Sequence, residues 1–212
     1  MQVKYEWRKK EKSIYLPKNI PEIIDIPQFN FITIQGEGSP AEGIFTDNIG
    51  ALYSLAYTIK MTAKKMNVPP KGYFDFTVYP LEGIWDINDQ AKACFDGTID
   101  KDDFVYKLMI RQPEFVNEKF FLQMLAIAKQ NKKNPLLDQI SYQCFTEGLC
   151  LQMLHLGPFE EEPASFEKME QFAKEQGYRR ISKVHREIYL SDARKVVPEK
   201  LKTVLRFQNK KS

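Results

Sequence analysis

Short alternating stretches of apolar and polar residues are separated along the chain by segments whose apolar residues recur every three or four positions. "FNFITIQGEG" (29–38) alternates and ends in turn residues, which predicts a strand. "AEGIFTDNIGALYSLAYTIKMTAKKM" follows, with Ile49, Leu52, Ala56 and Ile59 on one stripe. That spacing predicts an amphipathic helix with Thr46 or Asp47 as N-cap. "YFDFTVYPLEGIWDI" (73–87) and "FVYKLMIRQP" (104–113) read as two further strands. "PEFVNEKFFLQMLAIAKQNKK" predicts a second helix, opened by a proline and carrying Val116, Phe120, Met124 and Ile127 on one face. The first order then recurs: a strand at 149–157, a helix "SFEKMEQFAKEQG" with Phe166, Met169, Phe172 and Ala173 inward and Gly177 at its end, a strand at "KVHREIYLSD", and a turn and last strand in "PEKLKTVLRFQ". Before all of this, "LPKNIPEIIDIP" holds three prolines, so residues 1–26 are expected to be an extended lead-in.

Strand–helix–strand–strand therefore occurs twice, at about 29–113 and about 149–208, with a connecting helix at about 114–133. The residues of the two copies hardly match, so the repeat is one of pattern. The fold class expected is α+β, an antiparallel sheet with helices on one face, in a single domain over 1–212.

Parity along the strands then picks out candidate chemistry. In "HREIYLSD" (185–192), His185, Glu187 and Tyr189 point one way, and Arg186, Ile188 and Leu190 the other. In 73–79, Phe74, Phe76 and Val78 form an apolar set, opposed by Tyr73, Asp75, Thr77 and Tyr79. If the polar-aromatic sets face away from the helices, they line an open face with aromatic walls and an acid near its middle. A carboxylate among rings is poorly solvated, which raises its pKa and makes it a better base near neutral pH. The same group attracts a flat cation, with the rings adding cation–π attraction. A solvated strand face is the plain alternative for Glu187. Trp85 is equally consistent with the core and with a wall of the cleft.

Composition narrows the classes of function. The 212 residues are 43% hydrophobic and 28% charged, ordinary for a globular protein. Aromatic residues make up 13%, enough for a large core or an apolar pocket. The net charge is +3, and the basic runs "RKKEK" and "NKKS" do not form a stripe, so nucleic-acid binding is not expected. No run of 18 apolar residues and no apolar signal core occurs, so no membrane association is expected. Cys94, Cys144 and Cys150 show no C-x-x-C spacing, which fits a reducing, cytoplasmic setting. The H-x-E of residues 185–187 lacks the P-C-x-x-C partner of zinc deaminases and the helical H-E-x-x-H spacing, so no metal is expected. "GEGSPAEG" matches neither phosphate-binding glycine motif, and no G-x-S-x-G elbow is present.

The blocks "ITIQGEGSP", "ALYSLAYTIK", "YPLEGIW", "LHLGPFEEEPASFEKMEQFAKEQGY" and "HREIYLSDARKVVPEKLKTVLR", in that order, resemble the GyrI-like small-molecule-binding family over nearly the whole chain. The resemblance implies two strand–helix–strand–strand modules of SHS2 type, related by a pseudo-twofold, with a ligand groove between them. It places the family's pocket acid on Glu187 and aromatic wall positions on Tyr53, Tyr79, Trp85 and Tyr189. No DNA-binding helix-turn-helix precedes the matched region, so a stand-alone member is expected. Some stand-alone members hydrolyse reactive cyclopropane-containing, DNA-alkylating compounds (cyclopropanoids); others only bind flat, often cationic molecules. For hydrolysis, the resemblance implies Glu187 as general base and a phenol, Tyr53 or Tyr79, as hydrogen-bond donor, with no cofactor. The expected partners are flat aromatic small molecules, and a detoxifying role follows. The oligomeric state is left open.

Overall fold

A computed structural model of the protein describes residues 4–94, 98, 100–131 and 133–212. It divides into two compact units, one comprising Met1–Glu6, Phe29–Leu81 and Asp86–Phe145, the other Trp7–Gln28, Glu82–Trp85 and Thr146–Ser212. Two 16-residue strands, β1 (Glu22–Glu37) and β4 (Ser141–Leu156), run from one unit into the other.

In the first unit, β1 pairs antiparallel with β3 (Phe104–Gln112), from Asn30 opposite Gln112 to Glu37 opposite Val105. Helix α3 (Gly43–Lys65) buries Ala51, Leu52, Leu55, Ala56, Ile59 and Ala63; of the stripe its spacing predicts, Leu52, Ala56 and Ile59 are buried and Ile49 is half-buried. It begins at Gly43, before both expected caps: Thr46 and Asp47 lie within its first turns. Helix α5 (Glu118–Asn131) packs against α3 and buries Phe120, Phe121 and Met124. It starts only after Asn117, whose side chain accepts a hydrogen bond from Phe120 N, because Pro113–Val116 closes a separate turn. Gly36 is required by packing: a Cβ there would lie 2.5 Å from the ring of Tyr106. The strand expected over 73–87 forms only as β2 (Leu81–Ile87), and Phe76 makes a single bridge with Tyr5. The alternation of 73–80 reflects rings packing on one another, Phe74 and Phe76 against Phe115, without ladder pairing.

In the second unit, the last strand, β7 (Lys202–Lys211), is the hub. It pairs antiparallel with β4, with β6 (His185–Tyr189) and with the short β5 (Tyr178–Arg180). Strand β2 neighbours β6. Helix α6 (Glu162–Glu175) lays Met169 and Ala173 on Leu151, Met153, Leu205 and Phe207 of the sheet, with Ile23, Phe166 and Phe172 at the rim. Gly177 follows α6 with φ +74°, a left-handed position that suits glycine. The lead-in is not extended throughout. Two one-turn helices, α1 (Trp7–Lys10) and α2 (Lys12–Tyr15), precede β1. They form because Trp7 and Tyr15, whose rings pack 5.2 Å apart, are buried. A third short helix, α4 (Asp89–Ala93), is capped by Asn88. Among the described residues, no helix is long and apolar enough to cross a membrane.

Candidate functional site

Register decides what Glu187 faces. Glu187 and Met153 both lie opposite Leu205, while Tyr189 and His155 both lie opposite Thr203. These side chains therefore share one face of the sheet. Leu205 and Met153 belong to the cluster that α6 covers. The face of Glu187 is thus the helix face of this unit, which corrects the expectation that it points away from the helices. Alternation separates two faces but does not say which one a helix will cover, and here both are covered.

The opposite face holds Arg186, Arg206 and Gln152 in one row across three strands. Arg186 forms an ion pair with Glu82 at 2.8 Å and another with Glu147 at 3.3 Å. Arg206 reaches Glu147 at 3.1 Å and donates to Gln152 Oε1 and to the carbonyl oxygen of Ile14. Tyr15 donates to Glu82. Four charges of alternating sign thereby neutralise each other under the N-terminal segment, so Arg186 is not available to Glu187.

Glu187 is 8% exposed and has three polar neighbours. His185 Nε2 stands 3.2 Å from Glu187 Oε1, while Nδ1 faces the carbonyl oxygen of Lys183 at 3.2 Å. The Tyr189 hydroxyl lies beside the carboxylate and accepts from Trp85 Nε1 at 2.8 Å. Burial, then the charge of Glu187, push the Tyr189 hydroxyl well above the usual phenol range, so it stays a donor. The third neighbour is Glu162, at the first turn of α6 and 6% exposed. Burial raises its carboxyl to a pKa of about 10, with the charge of Glu187 and a hydrogen bond to Glu187 adding to the shift. Glu162 therefore favours its protonated form at neutral pH. Its Oε1 is buried with no hydrogen-bond partner among the described residues.

Rings enclose this group. Phe166 of α6 meets His185 edge-on at 4.8 Å, and Phe159, in the turn before α6, meets Tyr189 edge-on at 6.2 Å. Trp85 is only 5% exposed, yet its indole N–H is spent on Tyr189, so it is both core and part of the site. A carboxylate set among rings with a protonated acid beside it can accept a proton, hold a cation, or orient a water.

The structure thus brings Glu187, Trp85 and Tyr189 together in one unit, with Trp85 bonded to Tyr189. Tyr53 and Tyr79 belong to the other unit. Tyr53 is half-buried on α3 with its ring 6.3 Å from that of Tyr57. Tyr79 is buried rather than on an open face, with the Arg111 guanidinium 4.7 Å above its ring. Cys150 is buried and its thiol is pushed up to about 12, chiefly by burial, which keeps it protonated. Among the described residues, no group of three or more His, Cys, Asp or Glu could hold a metal ion.

Glu162 is the residue that sequence reasoning missed. The signal was present: the inward positions Phe166, Met169 and Ala173 extend back by one turn to 162. Three consecutive glutamates before Pro163 hid which of them turns inward.

Comparison with known proteins agrees with this architecture. Two crystal structures of hydrolases from Listeria innocua are similar over 98% of this chain and 100% of theirs, at 36% identity with TM-score 0.87 and at 37% identity with TM-score 0.88. The second of these is encoded by lin2189. The C-terminal domain of EcmrR shares the fold at 14% identity and TM-score 0.50, over 91% of this chain and 98% of that one. A search of curated proteins gives no match. The profile of the GyrI-like small molecule binding domain matches residues 20–208, and the chain belongs to that family.

Proposed function

We propose that the protein hydrolyses small molecules at Glu187, and that its substrates are flat compounds carrying a cyclopropane activated by a dienone. The observation that carries this reading is the buried carboxyl pair, Glu187 with a protonated Glu162, inside a wall of rings. The two hydrolases at 36–37% identity support the reaction class. The cyclopropanoid substrate rests on the sequence resemblance.

In this mechanism Glu187 accepts a proton from a water as the water oxygen bonds to the exposed cyclopropane carbon. The ring's C–C bond breaks, its electron pair aromatises the dienone, and the former carbonyl oxygen takes up a proton to become a phenol. Glu187 then returns its proton to solvent, so the sum is the addition of one water. A carboxylate has about four lone-pair directions. The contact to His185 orients it, with Tyr189 and Glu162 beside it, and leaves lone-pair directions for a water. The rings hold a flat substrate in near-attack geometry.

The test is mass spectrometry of a cyclopropane-dienone incubated with the protein. Protein-dependent gain of one water supports hydrolysis; recovery of unchanged compound at enzyme-scale concentrations contradicts it. A second reading, a non-catalytic binder that sequesters flat aromatic or cationic molecules, is favoured by the same negative charge among rings and by the family's description. Under that reading the compound quenches tryptophan fluorescence but is recovered intact.

A further inference from the structure

His155, near the end of β4, is 4% exposed and takes no part in the chemistry assigned to Glu187. Its Nε2 stands 3.0 Å from the carbonyl oxygen of Pro158, and its Nδ1 stands 2.9 Å from Ser165 Oγ. A carbonyl oxygen can only accept, so Nε2 carries the hydrogen and donates. In the neutral ring Nδ1 is then bare, and it accepts from the Ser165 hydroxyl. One imidazole thus joins three places: β4, the turn at Pro158, and the start of α6, where Ser165 is 7% exposed. The turn needs glycine at 157, where φ is +129°, and Pro158 O accepts a second hydrogen bond from Glu161 N.

The loop closed in this way, residues 155–165, carries two groups of the Glu187 site. Phe159 meets the Tyr189 ring edge-on at 6.2 Å, and the buried Glu162 lies one turn before Ser165. His155 also shares a row with Tyr189, since both lie opposite Thr203. We infer that His155 is a positioning residue: held as the Nε2–H tautomer, it clamps the start of α6 to β4 and so sets where Phe159 and Glu162 stand against Tyr189 and Glu187. A hydroxyl on an imidazole is also the makeup of a nucleophile and its base. Here both residues are more than nine-tenths buried between helix and sheet, which suits a clamp. The inference rests on the reading that Glu187 is the working carboxylate and deepens it: turnover depends on an imidazole that does not act on the reacting atoms.

The experiment is nitrogen NMR of the isotope-labelled full chain, which has two histidines and two tryptophans. The imidazole signals that remain in His185→Gln belong to His155, and they should show Nε2 protonated and Nδ1 bare. Ser165→Ala should move the Trp85 indole N–H signal, which reports on the bond to Tyr189, and leave that of Trp7 in place. Ser165→Thr keeps the hydroxyl and should return the signal. With a cyclopropane-dienone as substrate, kcat should fall by about tenfold or more in Ser165→Ala, with KM changed less, and recover in Ser165→Thr. A purely structural contact would lower Tm and move neither Trp85 nor kcat. Circular dichroism checks that each variant is folded. An unprotonated Nε2, or a Trp85 signal unmoved in Ser165→Ala, overturns the clamp. A moved signal that Ser165→Thr does not return overturns it too, because side-chain volume and not the hydrogen bond would be the cause. A moved and returned signal with wild-type kcat overturns its part in turnover. If the wild type leaves the compound unchanged, the hydrolase reading fails, while the NMR results still decide the clamp.

Discussion

Glu162, at the first turn of α6, and Glu187, in β6, are both almost wholly buried, and the charge of Glu187 adds to the burial that holds the Glu162 carboxyl in its protonated form. A glutamate from a helix start and one from a strand centre thus meet in one buried group. Burial disfavours a charge on Glu162, and the neighbouring carboxylate disfavours it further.

That arrangement makes stability depend on pH in a definite direction. The folded pKa of Glu162, about 10, lies above the ordinary 4.5, so the native state holds a proton that the unfolded chain gives up. The stabilisation is fully present below about pH 4.5 and is lost as pH rises toward 10. Thermal melts of wild type and Glu162→Gln from pH 5 to 9 should therefore diverge (on the order of this window). The variant, neutral throughout, should gain relative to wild type as pH rises. Parallel curves would count against a protonated Glu162.

The link from Trp85 to Tyr189 should be measurable on its own. Trp85→Phe keeps most of the ring but removes the N–H that the Tyr189 hydroxyl accepts at 2.8 Å. The expected loss is about 1 kcal/mol, or roughly 2–4 °C in Tm for a chain of this size. In a double-mutant cycle with Tyr189→Phe, a coupling of about 0.5–1.5 kcal/mol should appear. Additive losses would show that the contact contributes nothing.

On the opposite face, Arg186 is 3% exposed and pairs with two glutamates. Arg186→Met should cost about 3–5 kcal/mol in urea unfolding, because Glu82 would be left as a buried charge without its partner. Adding Glu82→Gln should restore part of the loss. No restoration would mean that the cost comes from packing and not from the stranded carboxylate.

Much of this was legible in the sequence. Helical spacing located α3, α5 and α6 and part of each buried stripe, though Ile49 and Ile127 are half-buried and Val116 precedes α5; alternation located β1, β3, β6 and β7. Glu187, Tyr189 and Trp85 were singled out by residue type and position, and they meet in the folded chain. Three things were not legible. Alternation in 73–80 came from ring packing without ladder bonds, so a strand was read where only β2 forms. The lead-in prolines masked two single-turn helices that are held by tertiary contacts of Trp7 and Tyr15, which local propensity does not register. The face of β6 that a helix covers depends on the register of β7 with β4, a long-range pairing invisible to local pattern.

The most direct test of the central claim follows oxygen from isotopically labelled water into a cyclopropane-dienone, with wild type and with Glu187→Gln compared at equal folded concentration. The account predicts labelled, ring-opened product with wild type and a rate reduced by at least about 100-fold with the variant, the lower range for losing a general base. Label incorporation at the same rate in both would contradict the assignment of Glu187 as the base.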